Sequence, residues 1–288
     1  MSTDYRLITP ADIGKGSKIK LEVCEVEADV YWKVALELFE IIDDNNKKNE
    51  DTVMIVPYGP LGPYSRFVYL VNKYRLSLKR CWFINMDEYL TPDLKYVDYN
   101  DPVSFIGGMD KVFYNLIDNE LNIPKDQRIF PAPGQEDDIL KLINGKGKLD
   151  LCLGGIGITG HIAFNEPPEP GVPMTNEEYK QLPTRILKLA RETVVINAIL
   201  NCGADFDAIP ADCITVGMKE IMMAKKIRVV MARDWQGAAI RKFLHGEPTY
   251  KFPCSLLQDH PDVKVYAAQV TFQSITPFNR IYNKTHGS

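Results

Sequence analysis

Apolar residues recur along this chain with two alternating periods. From Asp29 to Asp44, Tyr31, Val34, Ala35, Leu38, Ile41 and Ile42 share one helical face while Lys33, Glu37 and Glu40 fall elsewhere. That spacing predicts an amphipathic helix, which the polar run Asp43 to Asp51 should end. Thr52 to Val56 is short, β-branched and apolar, the signature of a buried strand, and Pro57-Tyr-Gly-Pro-Leu-Gly-Pro63 is the turn after it. A second helix carries Phe67, Leu70, Val71 and Tyr74 at i, i+3, i+4 and i+7. Another strand, Cys81 to Asn85, empties into Asp87-Glu88-Tyr89.

The same alternation continues to the end of the chain. Pro102 to Glu120 reads as a helix with Phe105, Met109, Val112, Phe113 and Leu116 on one face, and Asp137 to Ile143 as a shorter one. Leu149 to Leu153 is a strand, Thr193 to Leu200 a helix weakened by β-branched residues, Ile227 to Met231 a strand, Trp235 to Leu244 a helix and Val263 to Gln269 a strand. Strands alternating with helices at this spacing predict a three-layer, Rossmann-like α/β fold: a mostly parallel sheet with helices on both faces. Residues 1–288 are expected to form one domain. The proline-rich stretch 168–183 lacks apolar periodicity and is a candidate active-site flap. The tail ending at His286 is expected to be disordered.

Composition narrows the function classes. The 288 residues are 45% hydrophobic and 25% charged, with a formal net charge of −4. A mildly acidic chain has no built-in attraction for nucleic acid or acidic lipid, so neither is an expected partner. Cys24, Cys81, Cys152, Cys202, Cys213 and Cys254 follow no metal-ligand or redox spacing and are expected to be reduced thiols. The start, Met-Ser-Thr-Asp-Tyr-Arg, lacks the apolar core of a signal peptide, and no apolar run reaches the roughly 20 residues of a membrane span. A cytoplasmic protein is expected.

The densest chemistry lies in Leu153-Gly-Gly-Ile-Gly-Ile-Thr-Gly-His-Ile-Ala-Phe-Asn-Glu-Pro167, directly after a strand. Parallel sheets bind ligands at the carboxyl ends of their strands, and glycines there let backbone amides approach a polar ligand. Asp87, His161 and Glu166 all fall at strand ends and could together transfer protons. Singly, such an Asp also fits a turn or cap, and such a His a hydrogen-bonded structural group. The glycines are not followed by Lys-Ser or Lys-Thr, as in a P-loop, and run into His161 and Pro167, not into the helix of a dinucleotide fingerprint. His-Glu-x-x-His and Gly-x-Ser-x-Gly are both missing. No metal and no cofactor are expected.

Gly-His161-Ile-Ala-Phe-Asn-Glu166-Pro, with Asn85-Met-Asp87-Glu-Tyr89 well before it and Thr215-Val-Gly217 after it, closely resembles the glucosamine-6-phosphate deaminase (isomerase) family. The likeness runs in order from Thr52 to about Val270. It implies a cofactor-free aldose-to-ketose isomerisation of a small amino-sugar phosphate with release of ammonia. Asp87 would then shuttle a proton between C2 and C1, His161 would help open the ring, and Glu166 would orient the imidazole. Tyr58, Gly59, Gly62, Gly155, Gly157, Thr159, Gly160 and Asn165 are the candidate substrate-binding residues. The resemblance leaves room for a homo-oligomer, since members occur in different assemblies. It also leaves two alternatives: a sugar-binding homologue without catalysis, and a hydrolase like the related 6-phosphogluconolactonases.

Three departures from the family pattern bear on the substrate. Thr159 replaces the usual Asp two residues before the histidine, and a hydroxyl cannot stabilise an imidazolium by charge. Pro57 to Pro63 replaces a hydroxyl-rich loop, and prolines donate no amide hydrogen. The family's phosphate-binding arginine and lysine fall on Val194 and Gln236, leaving Arg185, Arg191 and Arg233 as candidates to compensate.

Overall fold

The strand Thr52–Val56 shows in miniature how this chain is layered. All five residues are buried, with Val53 and Ile55 in one apolar cluster and Met54 and Val56 in another. Alternate side chains of a strand point to opposite faces, so this strand is covered on both sides. The computed structural model describes residues 4–275. In chain order its main elements are β1 (Lys20–Cys24), α1 (Glu27–Lys47), β2 (Thr52–Val56), α2 (Gly62–Tyr74), β3 (Cys81–Asn85), β4 (Asp87–Leu90), α3 (Phe105–Val112), β5 (Arg128–Ile129) and α4 (Asp138–Lys146). They continue with β6 (Leu151–Gly155), α5 (Asn176–Lys180), β7 (Arg185–Lys188), α6 (Arg191–Asn201), β8 (Asp212–Thr215), α7 (Met218–Met222), β9 (Ile227–Met231), α8 (Gly237–His245) and β10 (Val263–Ala268).

Seven strands form a sheet in the order β1-β10-β9-β6-β2-β3-β5, and every pairing in it is parallel. Helices α1, α2 and α3 cover one face, and α4, α7 and α8 the other. From β2 the chain steps outward to β3 and β5, whereas from β6 it steps the other way to β9 and β10. The neighbours β2 and β6 therefore form the switch point, the place where an open α/β sheet leaves a crevice at its carboxyl edge.

Three strands missed by the periodicity build a second, antiparallel sheet, β4-β8-β7. Asp87-Glu88-Tyr89, the stretch into which the strand Cys81 to Asn85 empties, belongs to strand β4. Only Met86 separates it from β3, so no polar break marks the boundary. Register pairs Asp87 with Thr215 of β8, and Thr215 with Arg185 of β7.

Other boundaries moved for local reasons. Helix α1 continues through the polar run to Lys47 because Asn45 turns inward and donates to the Thr52 hydroxyl at 3.0 Å. The helix expected over 102–120 stops at Val112. There Phe113 leaves helical geometry and becomes the hub of a ring cluster, with Tyr64, Phe67, Phe83 and Tyr114 at centroid distances of 5.2, 5.8, 5.8 and 4.9 Å. The stretch 168–183 contains α5, fixed by a Thr175/Glu178 capping box and by the fully buried Tyr179. The tail at His286 lies outside the described residues. Among those described, no helix is long and apolar enough to cross a membrane.

Phe113 is fully buried and touches residues from α2, β3 and the turn after α3. Phe113→Ala is expected to lower stability by about 3–5 kcal/mol, measured as a shift in the urea-unfolding midpoint. A change below about 0.5 kcal/mol, within the range of surface substitutions, would show that the ring cluster does not join these elements.

Candidate active site

The switch-point crevice opens into a cavity of about 910 Å³. Its floor is the loop after β2 (Tyr58, Gly59, Gly62), the end of β6 with its turn (Gly155, Gly157, His161) and the start of β4 (Asp87). Residues of α6 and of the segment after β9 complete the wall. Asp87 and His161, 74 positions apart in sequence, thus face one space.

Asp87 is a carboxylate under pressure. It is buried, and burial, then the Glu88 charge beside it, push its pKa well above the ordinary carboxylate range, with the Phe164 amide partly offsetting this. Among the described residues it forms no ion pair. Glu88 faces away from the cavity and accepts from Tyr89 N, Phe105 N, Ile106 N and Ser104 Oγ at 2.8, 2.9, 2.7 and 3.1 Å. Burial raises Glu88 as well, against the pull of these donors. Glu88 therefore anchors the first turn of α3 to β4. Phe105, at the helix start, is held over Tyr58, with ring centroids 4.7 Å apart.

The imidazole of His161 is supported from its Nδ1 side. Thr159 Oγ1 lies 2.9 Å from Nδ1 and 2.6 Å from Glu166 Oε2, and Thr193 Oγ1 of α6 lies 3.4 Å from Nδ1. Glu166 Oε1 is 3.3 Å from Nδ1 but makes no aligned hydrogen bond. Burial alone would raise Glu166, yet His161, then the Thr159 and Thr193 hydroxyls, hold it below the usual carboxylate range. An ionised carboxylate only accepts, so the single Thr159 proton points to Glu166, and the same oxygen accepts from Nδ1–H. Neutral His161 then carries its proton on Nδ1, leaving Nε2 open. Nε2 rests over Gly157, where an added Cβ would lie 1.9 Å from it, so only glycine leaves room for the ring.

The other candidates sort by where their polar atoms go. Tyr58, Gly59, Gly62, Gly155 and Gly157 line the cavity, but Thr159, Gly160, Asn165 and Glu166 do not. Asn165 is fully buried: its amide donates to Ile162 O and Val216 O at 3.0 and 2.8 Å, and its oxygen accepts from Arg185 at 2.8 Å. It braces the turn and has no bond left for a substrate. Gly160 adopts φ +85° against the Phe252 ring, a backbone requirement. Arg185 is thereby committed to Asn165, and Arg191 is exposed on α6 away from the cavity. Val194 packs in the apolar cluster under α6.

Gln236 is buried and spent on backbone: Nε2 donates to Ile156 O at 2.9 Å, while Oε1 accepts from Ala232 N and Arg233 N, both at 3.0 Å. Arg233 alone of the three candidate arginines lines the cavity. Sequence reasoning missed Glu88, Thr193 and the α6 wall, because nothing in spacing links α6 to His161. Among the described residues no three His, Cys, Asp or Glu side chains are grouped so as to hold a metal ion.

No protein-family model matches the chain. It is 31% identical over 252 residues to the glucosamine-6-phosphate deaminase of Mycoplasma mycoides, covering 86% of this chain and 93% of that protein. The chain belongs to the glucosamine-6-phosphate deaminase family. Glucosamine-6-phosphate deaminase 1 of Bacillus subtilis is 28% identical over 83% of this chain and 94% of its own length. Among solved structures, a monomeric glucosamine-6-phosphate deaminase superposes with a TM-score of 0.76 at 25% identity, over 89% of this chain and 100% of that one. The 6-phosphogluconolactonase of Leishmania guyanensis shares the fold, with a TM-score of 0.61 at 15% identity over 90% and 99% of the two chains. In this chain the Thr159 hydroxyl bridges imidazole and carboxylate.

Two measurements check this electrostatic picture. An acid whose pKa is raised in the fold contributes stability that is complete below its unfolded value, near 3.9, and is lost as pH rises through the folded value. Asp87→Asn should therefore match wild type near pH 4 and exceed it in Tm at pH 8 by about 2–4 °C, the shift of a ~1 kcal/mol change; a pH-independent difference would contradict the assignment. In ¹⁵N NMR, neutral His161 should show the Nδ1–H tautomer, and a dominant Nε2–H form would rule out the Thr159 bridge.

Proposed function

We propose that this protein catalyses the aldose-to-ketose isomerisation of glucosamine 6-phosphate with release of ammonia. The observation that carries the reading is a buried carboxylate of raised proton affinity, Asp87, facing the same cavity as the His161 imidazole, whose hydrogen bonds among the described residues all fall on Nδ1. The family relationship supports it.

The residues divide the work by position. His161, held through Nδ1 by Thr159 and Glu166, takes the O1 hydroxyl proton at Nε2 and delivers it to the ring oxygen as the bond from C1 to that oxygen breaks, and so opens the sugar. Asp87 takes the proton from C2 of the open chain; the C2–H electrons form the C1–C2 double bond and O1 takes the proton given up by the C2 ammonium, giving an enolamine. Asp87 then returns its proton to C1. Water adds to the resulting C2 imine and ammonia leaves, giving fructose 6-phosphate. A carboxylate raised by burial suits this role, since it accepts a carbon-bound proton more strongly and gives it back to the adjacent carbon. Tyr58, Phe105, Tyr89 and Phe164 give that cavity an aromatic wall.

We take residues 1–288 as one α/β unit, because Asp87 of the small sheet and His161 beside the large one serve one cavity. Motion of the 168–183 flap is confined to the stretch before Thr175, as Tyr179 anchors α5 through its hydroxyl to Asn165 O and Glu166 O, both at 2.7 Å.

Turnover of glucosamine 6-phosphate, followed by ammonia and fructose 6-phosphate, tests the reading. Asp87→Asn is expected to lower kcat by about 10²–10⁴. The acidic limb of kcat/KM should rise with pH through the Asp87 titration, above the ordinary carboxylate value of about 4. A wild-type protein that binds the sugar phosphate but turns it over no faster than Asp87→Asn would be a sugar-binding homologue instead.

A further inference from the structure

A sugar phosphate brings two negative charges into a cavity whose wall already contains Glu27 and Asp87. Aside from the His161 imidazole, only one side chain of the wall, among the described residues, is cationic: Arg233, just past β9. The other positions considered from the sequence supply no further cation there. Gln236 spends its amide on Ile156, Ala232 and Arg233 backbone, Arg185 is held by Asn165, and Arg191 lies outside the wall.

Arg233 has a partner that it can exchange. Its Nη1 lies 3.4 Å from Glu27 Oε1 at the start of α1, and the two side chains are 51% and 36% exposed. A pair this wet is weakly held, because water competes for both ends and ordering two long side chains opposes it. The Tyr31 hydroxyl also donates to Glu27, so Glu27 keeps a hydrogen bond when the arginine turns away. A phosphate, by contrast, matches the guanidinium fork with two parallel charge-assisted bonds. The exchange therefore runs toward the ligand.

We propose that Arg233 is the residue that reads the terminal phosphate, and that Glu27 competes with the substrate for it. The inference rests on the deaminase reading for the identity of the sugar. Glu27 then sets the affinity: it holds the guanidinium at the mouth when the site is empty and repels the incoming anion until the partners change.

Steady-state kinetics on glucosamine 6-phosphate, with inorganic phosphate as competitor, test the assignment. Arg233→Ala is expected to raise KM about tenfold or more and to weaken phosphate inhibition in parallel, with the loss falling on KM and not on kcat. Arg233→Lys, which keeps the charge but loses the fork, should fall between it and wild type. Glu27→Gln should lower KM and tighten phosphate inhibition about threefold, the size of an exposed ion pair. Should Arg233→Ala keep both values within about twofold of wild type, well short of the roughly tenfold loss expected for a bidentate contact, the assignment is overturned while the deaminase reading survives. If wild type turns over no amino-sugar, the deaminase reading falls and calorimetric binding of inorganic phosphate decides this one. Binding lost in Arg233→Ala upholds it, and binding retained removes it.

Discussion

Asp87 is buried and yet lines the cavity, as the proposed proton transfer to and from a polar sugar requires, and much of the architecture around it holds that carboxylate without a cation. An arginine beside it would relieve the burial but lower its proton affinity. The chain instead places a second carboxylate next to it and immobilises that neighbour. Glu88 takes four donors from β4 and the start of α3, so its charge stays close to Asp87 without entering the cavity. The small antiparallel sheet gives Asp87 a rigid strand of its own, standing apart from the large sheet whose loops bring the histidine.

The histidine shows a complementary solution. Elsewhere in the family, as the sequence resemblance implies, a second carboxylate accompanies the imidazole; here two threonines surround Nδ1. A hydroxyl can donate and accept at once, so Thr159 conveys the Glu166 charge to Nδ1 through one oxygen and fixes the tautomer while doing so. Orientation of the ring thus survives replacement of the acid. Among the described residues Glu166 is the carboxylate paired with Nδ1.

Much of the fold was legible because buried parallel strands are short apolar runs: β2, β3, β6, β9 and β10 all stand out. Strand β1 did not, being an edge strand whose residues are largely exposed, and neither did β4, β7 and β8, which are four residues each. In the site, Asp87, His161 and Glu166 were legible as chemistry placed at strand ends. Asn165 was misjudged because its motif position says nothing about where its amide points, and it faces Ile162 and Val216. Thr193 was invisible, since its relation to His161 exists only once α6 is packed. The Thr159 departure was read as loss of charge alone, because the distance from position 159 to Glu166 is a property of the turn.

Gln236 carries a consequence for how this site could have diverged. Its side chain satisfies two amides and one carbonyl across two loops. Lysine has no acceptor to offer those amides, so restoring the family's residue at this single position would strand two buried donors before any ligand gained a contact. The loops after β6 and β9 are thus tied together through one amide, and the shape of this end of the cavity depends on a residue that both donates and accepts at position 236.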